Sequence, residues 1–215
     1  MLHVLETILS PIVWLMQLVL EFYISAFSST GISILVLSFT FALLLQPLRR
    51  KAEGLEKHIS SKMNAANKEV QALKGTMKGE QLFLATEKIY KQHGYHPIQS
   101  VWMGAGFFVM LPVLVSAILL FSGDGILSDK TFLIINDLSQ PDGLFGPINV
   151  LPFVMSGITV IDAKLRFKGD KKAQYRFYVI AAVLLALVYN LSSGLVLYWT
   201  GSNVMSLILY EFRRP

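Results

Sequence analysis

The stretch TGISILVLSFTFALLLQPLRRK, residues Thr30–Lys51, is a predominantly apolar run, 30–48, that stops at three consecutive basic side chains, Arg49, Arg50 and Lys51. At 1.5 Å per residue such a run spans about 28 Å, close to the hydrocarbon thickness of a bilayer. The basic stop fixes its direction, because Lys and Arg are retained on the cytoplasmic side of a membrane helix.

The rest of the chain repeats the pattern. Of 19 Lys and Arg residues, all but Lys130 fall in 49–91, 164–176 and 213–214, and long apolar stretches separate these clusters. Four further segments, 101–121, 147–163, 176–191 and 195–211, read as membrane spans. If 49–91 is cytoplasmic, successive crossings place every basic cluster on the same side. The loop 122–146 then lies outside, with Asp124, Asp129, Asp137 and Asp142 against the single Lys130. The 215 residues are 53% hydrophobic and 15% charged, well away from the balance of a soluble domain. The net charge of +5 sits in loops between apolar runs, which points to lipid headgroups or ribosomal RNA and not to DNA. There is no cysteine, which excludes disulfides, thiolate metal sites and cysteine nucleophiles. The N-terminus has no basic n-region, so the chain is expected to carry no cleaved signal peptide.

Segment 4–27 is apolar, yet His3, Glu6, Ser10, Gln17 and Glu21 fall on one narrow helical stripe. The stripe favours an interfacial amphipathic helix on the outer surface, with Trp14 and Phe22 toward lipid and a bend allowed at Pro11. A sixth span is the alternative, at the cost of two carboxylates in hydrocarbon. Residues 49–98 form the one sizeable polar block. Two helical patterns, 50–74 and 79–92, flank Gly75 and Gly79, which predicts a cytoplasmic helical hairpin. Its seam is expected from Leu55, Ile59, Met63, Val70 and Leu73 against Leu82, Phe83, Leu84, Ile89 and Tyr90. It serves as a solvated connector or as a docking arm for a soluble partner.

No catalytic constellation is visible. The four histidines, His3, His58, His93 and His96, lie outside the spans, and Gly123-Asp124-Gly125 and Ser192-Ser193-Gly194 read as turns. Asp162 lies one helical turn from Lys164 and Arg166, as expected of a local ion pair at the inner interface. Neither a catalytic residue, a cofactor nor a metal site is expected.

Several motifs in register resemble the YidC, Oxa and Albino family of membrane protein insertases. The most specific is Ser193-Gly-Leu-Val-Leu-Tyr-Trp-Thr-Gly-Ser-Asn203 in the last span. Ile89 to Pro97 followed by Leu111-Pro112, Asn136 to Asp142 followed by Val150 to Gly157, and Gln46-Pro47-Leu48 support it in the same order. The resemblance implies an all-α polytopic membrane protein with five transmembrane helices, an outer interfacial helix and a cytoplasmic hairpin, forming a single insertase domain over 1–215. It implies a multi-pass protein of the bacterial cytoplasmic membrane, N-terminus outside and C-terminus cytoplasmic. Nascent membrane proteins would pass from the cytoplasm into the bilayer through a polar groove, with the ribosome and the Sec translocon as partners. Members typically carry an arginine in the first span where this chain has Ala42. Ser38, Ala42, Gln46 and Arg50 nevertheless repeat every four residues and share one helix side, ending in Arg49 and Arg50 at the mouth. Thr40, Tyr198, Ser202 and Asn203 complete the expected lining, polar but uncharged at mid-depth. Hydrogen bonding between helices is the other role open to these side chains. A non-inserting assembly scaffold of the same fold, and a small transporter, are the alternative functions.

Overall fold

A computed structural model describes residues 2–99, 105–123, 125–169 and 171–212. The first residues of the expected span 101–121, Asp124 and the basic tail Arg213-Arg214 therefore lie outside the described residues. The described residues form eight helices: α1 (Leu2–Phe27), α2 (Thr30–Leu44), α3 (Gln46–Leu73), α4 (Gly79–Gln92), α5 (Ala105–Ser122), α6 (Leu151–Arg166), α7 (Lys171–Val188) and α8 (Ser193–Glu211). The chain divides into two compact units, residues 45–111 and the remainder.

The span expected over 30–48 is interrupted. Helix α2 ends at Leu44, and Pro47 sits in the first turn of α3. Proline has no N–H to give to the carbonyl four residues back, and its ring crowds that carbonyl, so a helix starts there more readily than it continues. Of the stripe Ser38, Ala42, Gln46, Arg50, the first two lie on α2 and the last two on α3.

In the larger unit α2 packs on α1 and α8, and α6 packs on α7 and α8. Helix α1 turns Leu9, Met16 and Leu20 inward and leaves Glu6, Ser10, Gln17 and Glu21 exposed, with Trp14 and Phe22 also exposed. The segment Glu6–Phe27 is long and apolar enough by itself to cross a bilayer. Crossing and lying flat are therefore both open to it on length. Met155, Val188 and Val196 close a core between α6, α7 and α8, with Leu151, Leu191 and Trp199 against it.

The loop 123–150 is a built structure. The Asp142 carboxylate accepts from the backbone N–H of Val150 at 2.7 Å and of Leu151 at 2.9 Å, satisfying donors at the start of α6. Asn149 gives its amide to the Tyr189 carbonyl just past α7, at 2.8 Å. These contacts are why α6 starts at Leu151 and not at 147 as expected. Helix α7 likewise runs from Lys171 to Val188, displaced from 176–191. At the head of α8, Ser193 N–H donates to Gln140 O and Gly194 N–H to Leu138 O, at 2.8 and 2.9 Å. A side chain at Gly194 would come within 2.7 Å of Leu127 Cδ1 and 3.2 Å of Leu138 O, so this contact requires glycine.

In the smaller unit α3 and α4 pair as a hairpin. Ala66, Val70 and Ile89 form its buried seam, with Leu73 and Tyr90 packed against them. Tyr90 donates to Asn67 Oδ1 at 3.1 Å, and the His93 ring meets Glu69 at 2.7 Å, two polar ties across the arms. Leu55, Phe83 and Leu84, expected in the seam, are exposed. At the start of α4, Gly79 takes a φ of +58° that suits glycine.

Candidate functional site

The predicted lining residues of the larger unit are placed by the α2–α8 crossing. Ser38 is fully buried and donates to its own helix at Leu35 O, 2.7 Å away. It faces Gly201, where a Cβ would overlap the Ser38 hydroxyl. Ala42 is 2% exposed, and Tyr198 and Ser202 are buried as well. Tyr198 packs its ring against Phe121 of α5 with centroids 5.8 Å apart. Small and hydroxylated groups such as Ser38 and Gly201 let two backbones approach.

The other two are tied to neighbouring helices. Thr40 shares a 2.9 Å hydrogen bond with the Tyr23 hydroxyl of α1 and donates to Val36 O. Asn203 donates its amide to Thr159 Oγ1 on α6 at 3.1 Å. The structure thus joins Ser38, Ala42, Tyr198, Ser202, Thr40 and Asn203 to one helix bundle. Gln46, Arg49 and Arg50 belong to the smaller unit. Gln46 Nε2 is buried and has no hydrogen-bond partner among the described residues; Arg50 is exposed.

Two polar features escaped the sequence reading. The first is a set of buried hydroxyls in apolar helices. Ser116 of α5 and Ser156 of α6 are buried with no hydrogen-bond partner for Oγ among the described residues. An orphaned hydroxyl in an apolar interior is costly, so such groups mark places where water or another polar group is accommodated. The second is an interhelical extension of a pair the sequence did suggest. Arg166 Nε meets both Asp162 oxygens at 2.7 and 2.8 Å, and its NH2 donates to Ser206 Oγ of α8 at 2.9 Å. The guanidinium also lies 4.8 Å over the Tyr210 ring. The spacing of Asp162 and Arg166 announces the pair; nothing in the local pattern announces Ser206 and Tyr210, some 40 residues away.

No group of His, Cys, Asp and Glu among the described residues could hold a metal ion. The site is an arrangement of helix faces carrying hydroxyls, one amide and one ion pair within an apolar bundle.

Comparison with known proteins gives this arrangement its relatives. A membrane protein insertase YidC of Leptospira interrogans is 24% identical over 212 residues, covering 91% of this chain and 32% of its own length. A membrane protein insertase YidC of Fusobacterium nucleatum is 26% identical over 191 residues, covering 85% of this chain and 84% of its own length. The chain therefore spans under half of the first relative and most of the second. A crystal structure of an active YidC insertase, with its first transmembrane domain resolved, aligns with a TM-score of 0.58 at 18% identity. That alignment covers 97% of this chain and 47% of the other, and it establishes the fold. The profile of the 60Kd inner membrane protein family matches residues 22–212, nearly the whole chain, which therefore belongs to that family, the family of the YidC insertases.

Proposed function

We propose that this protein is a membrane protein insertase and folding factor of a bacterial cytoplasmic membrane. It takes hydrophobic segments of nascent proteins from the cytoplasm into the bilayer. Helices α2, α5, α6, α7 and α8 are its five spans, the α3–α4 hairpin is cytoplasmic, and α1 lies in the outer interface. The exposed polar stripe of α1, with Gln17 bonded to Glu21 at 2.9 Å, supports the flat placement over a sixth span. Family membership over residues 22–212 is the observation that carries the reading.

The mechanism follows from the cost of burying charge. A charged residue at mid-bilayer costs roughly 2.5–3.5 kcal/mol on insertion scales, so a partly polar path lowers the barrier for a short translocated tail without a nucleotide or a cofactor. Supporting such a path are the buried hydroxyls of Ser116 and Ser156 and the α6–α8 pair Thr159–Asn203. The hairpin, with Phe83, Leu84 and Leu55 exposed, offers apolar surface to an arriving chain. The ribosome and the Sec translocon are its proposed soluble and membrane partners.

The closed crossing at Ser38 and Gly201 favours a second reading, an assembly scaffold that holds client helices without inserting them. Purified protein in liposomes separates the two. An insertase integrates a single-span substrate with a short translocated tail, read as protease protection of that tail. A scaffold leaves the tail digestible while still improving the folding of a client already in the bilayer.

A further inference from the structure

The loop 122–146, expected on the outside, presents two of the most exposed apolar side chains among the described residues. Leu133 is 86% exposed and Ile134 is 73% exposed. They form the tip of a two-residue turn closed by Phe132 and Ile135, whose N–H groups and carbonyls exchange hydrogen bonds of 2.9 and 2.8 Å. Leu133 has a φ of +51°, a left-handed conformation normally given to Gly or Asn. The turn's own preference therefore argues against leucine here, and a strained apolar residue held in the open asks for a use outside the turn.

The position of the turn supplies one. The Phe132 ring is seated on Gly31, in the first turn of α2, so closely that any side chain at Gly31 would overlap it. Gly31 follows the end of α1 at Phe27 by four residues, and Phe27 and Phe22 are themselves exposed. The apolar tip is thus fixed at the corner where an exposed apolar helix meets the start of a membrane span. Buried Ile135 and Leu138 anchor its other side, and the charged residues Asp129 and Lys130 precede it.

We infer that the Leu133-Ile134 tip is a membrane anchor that inserts into the lipid interface beside the α1–α2 corner. It holds the loop against the leaflet and, through Ser193 and Gly194, braces the head of α8. Lipid is the occupant because Phe132 fixes the tip on Gly31, four residues past the end of α1 and its exposed Phe22 and Phe27, at the end of a span where amphipathic elements rest. The inference rests on α2 and α7 spanning the bilayer and is independent of insertase activity.

The absence of cysteine makes a clean test possible. Leu133→Cys carries a nitroxide in protein reconstituted into nanodiscs of phosphatidylcholine and phosphatidylglycerol, where both faces are accessible. Collision with oxygen, which concentrates in lipid, is compared with collision with a water-soluble nickel chelate. The oxygen-to-nickel ratio at position 133 is expected to exceed that at Lys130→Cys several-fold, and Ile134→Cys should repeat it. A ratio equal to that at Lys130 overturns the inference by placing the tip in water. Low collision with both reagents overturns it in favour of a protein partner or a second copy. A label at Val183→Cys, exposed on α7, reads as lipid if the spans are right, so failure of the span assignment is told apart from failure of the anchor.

Discussion

Gly201 of α8 and Ser38 of α2 are in such close contact that a methyl group on the glycine would overlap the serine hydroxyl and come within 3.1 Å of Leu35 Cδ2. Close crossing of two membrane helices through small residues replaces the hydrophobic drive that lipid cannot supply. Gly201→Val is expected to destabilise the bundle by about 1–3 kcal/mol, the usual cost of overpacking. Thermal unfolding in detergent measures it. Ser38→Ala should recover part of the loss in a Gly201→Ala background, since the overlapping atom is then gone.

Ala42, where the sequence resemblance implies an arginine, is 2% exposed, so this position is buried. Ala42→Arg would bring a charge into a packed apolar face. A loss of about 3 kcal/mol is expected. Ala42→Ser, which adds one hydroxyl, should cost far less. Detergent unfolding midpoints of the two variants check this, and equal midpoints would show that the face opens readily.

The hairpin and the bundle differed in how far the sequence revealed them. Gly75 and Gly79 between two amphipathic patterns announced the α3–α4 reversal, and α4 begins at Gly79 as expected. Ser38, Tyr198 and Ser202 were harder, because a close helix crossing and a polar lining both call for small or hydroxylated side chains at four-residue spacing. The break at Leu45 was signalled by Pro47 but outweighed by the hydropathy of the run. Asp142 and Asn149 were invisible in their roles. Their partners are Val150, Leu151 and Tyr189, 8 to 40 residues distant, and loop hydrogen bonds of that separation leave no periodicity.

Leu133 bears strain that the fold does not need. Leu133→Gly removes the left-handed penalty and is expected to stabilise detergent-solubilised protein by about 1 kcal/mol. In detergent unfolding, a Leu133→Gly midpoint below that of the parent protein would mean that the side chain packs in a way its exposure does not suggest.

In the hairpin, Lys91 lies 2.8 Å from Glu87, and its hydrogen bond and charge hold the Glu87 carboxyl below the ordinary value of 4.5. A depressed folded-state value means the pair contributes fully above the unfolded value and is lost as pH falls through the folded one. Amide exchange in α4 should therefore quicken, after correction for intrinsic rates, as pH drops below about 4.5. Glu87→Gln should flatten that response, and high salt should weaken it in the parent protein.

Asp162 and Arg166 are 23% and 18% exposed as side chains, enough burial that removing one partner strands the other. Arg166 also holds Ser206 and covers Tyr210, whose hydroxyl donates to Leu165 O at 3.3 Å, so it joins the ends of α6 and α8. Arg166→Gln removes the positive charge that balances the Asp162 carboxylate and the contacts to Ser206 and Tyr210. The expected loss is about 2 kcal/mol, below the 3–5 kcal/mol of a fully buried pair because solvent reaches both groups. Asp162→Asn should cost less, since the guanidinium keeps Ser206 and the tyrosine face. The double replacement Asp162→Leu with Arg166→Met should recover most of the loss, because the desolvation penalty of both charges disappears with them. Unfolding midpoints of the three variants give the ordering. If Arg166→Gln is no worse than the double variant, the pair is decoration at a wet surface and not the tie between the two helices.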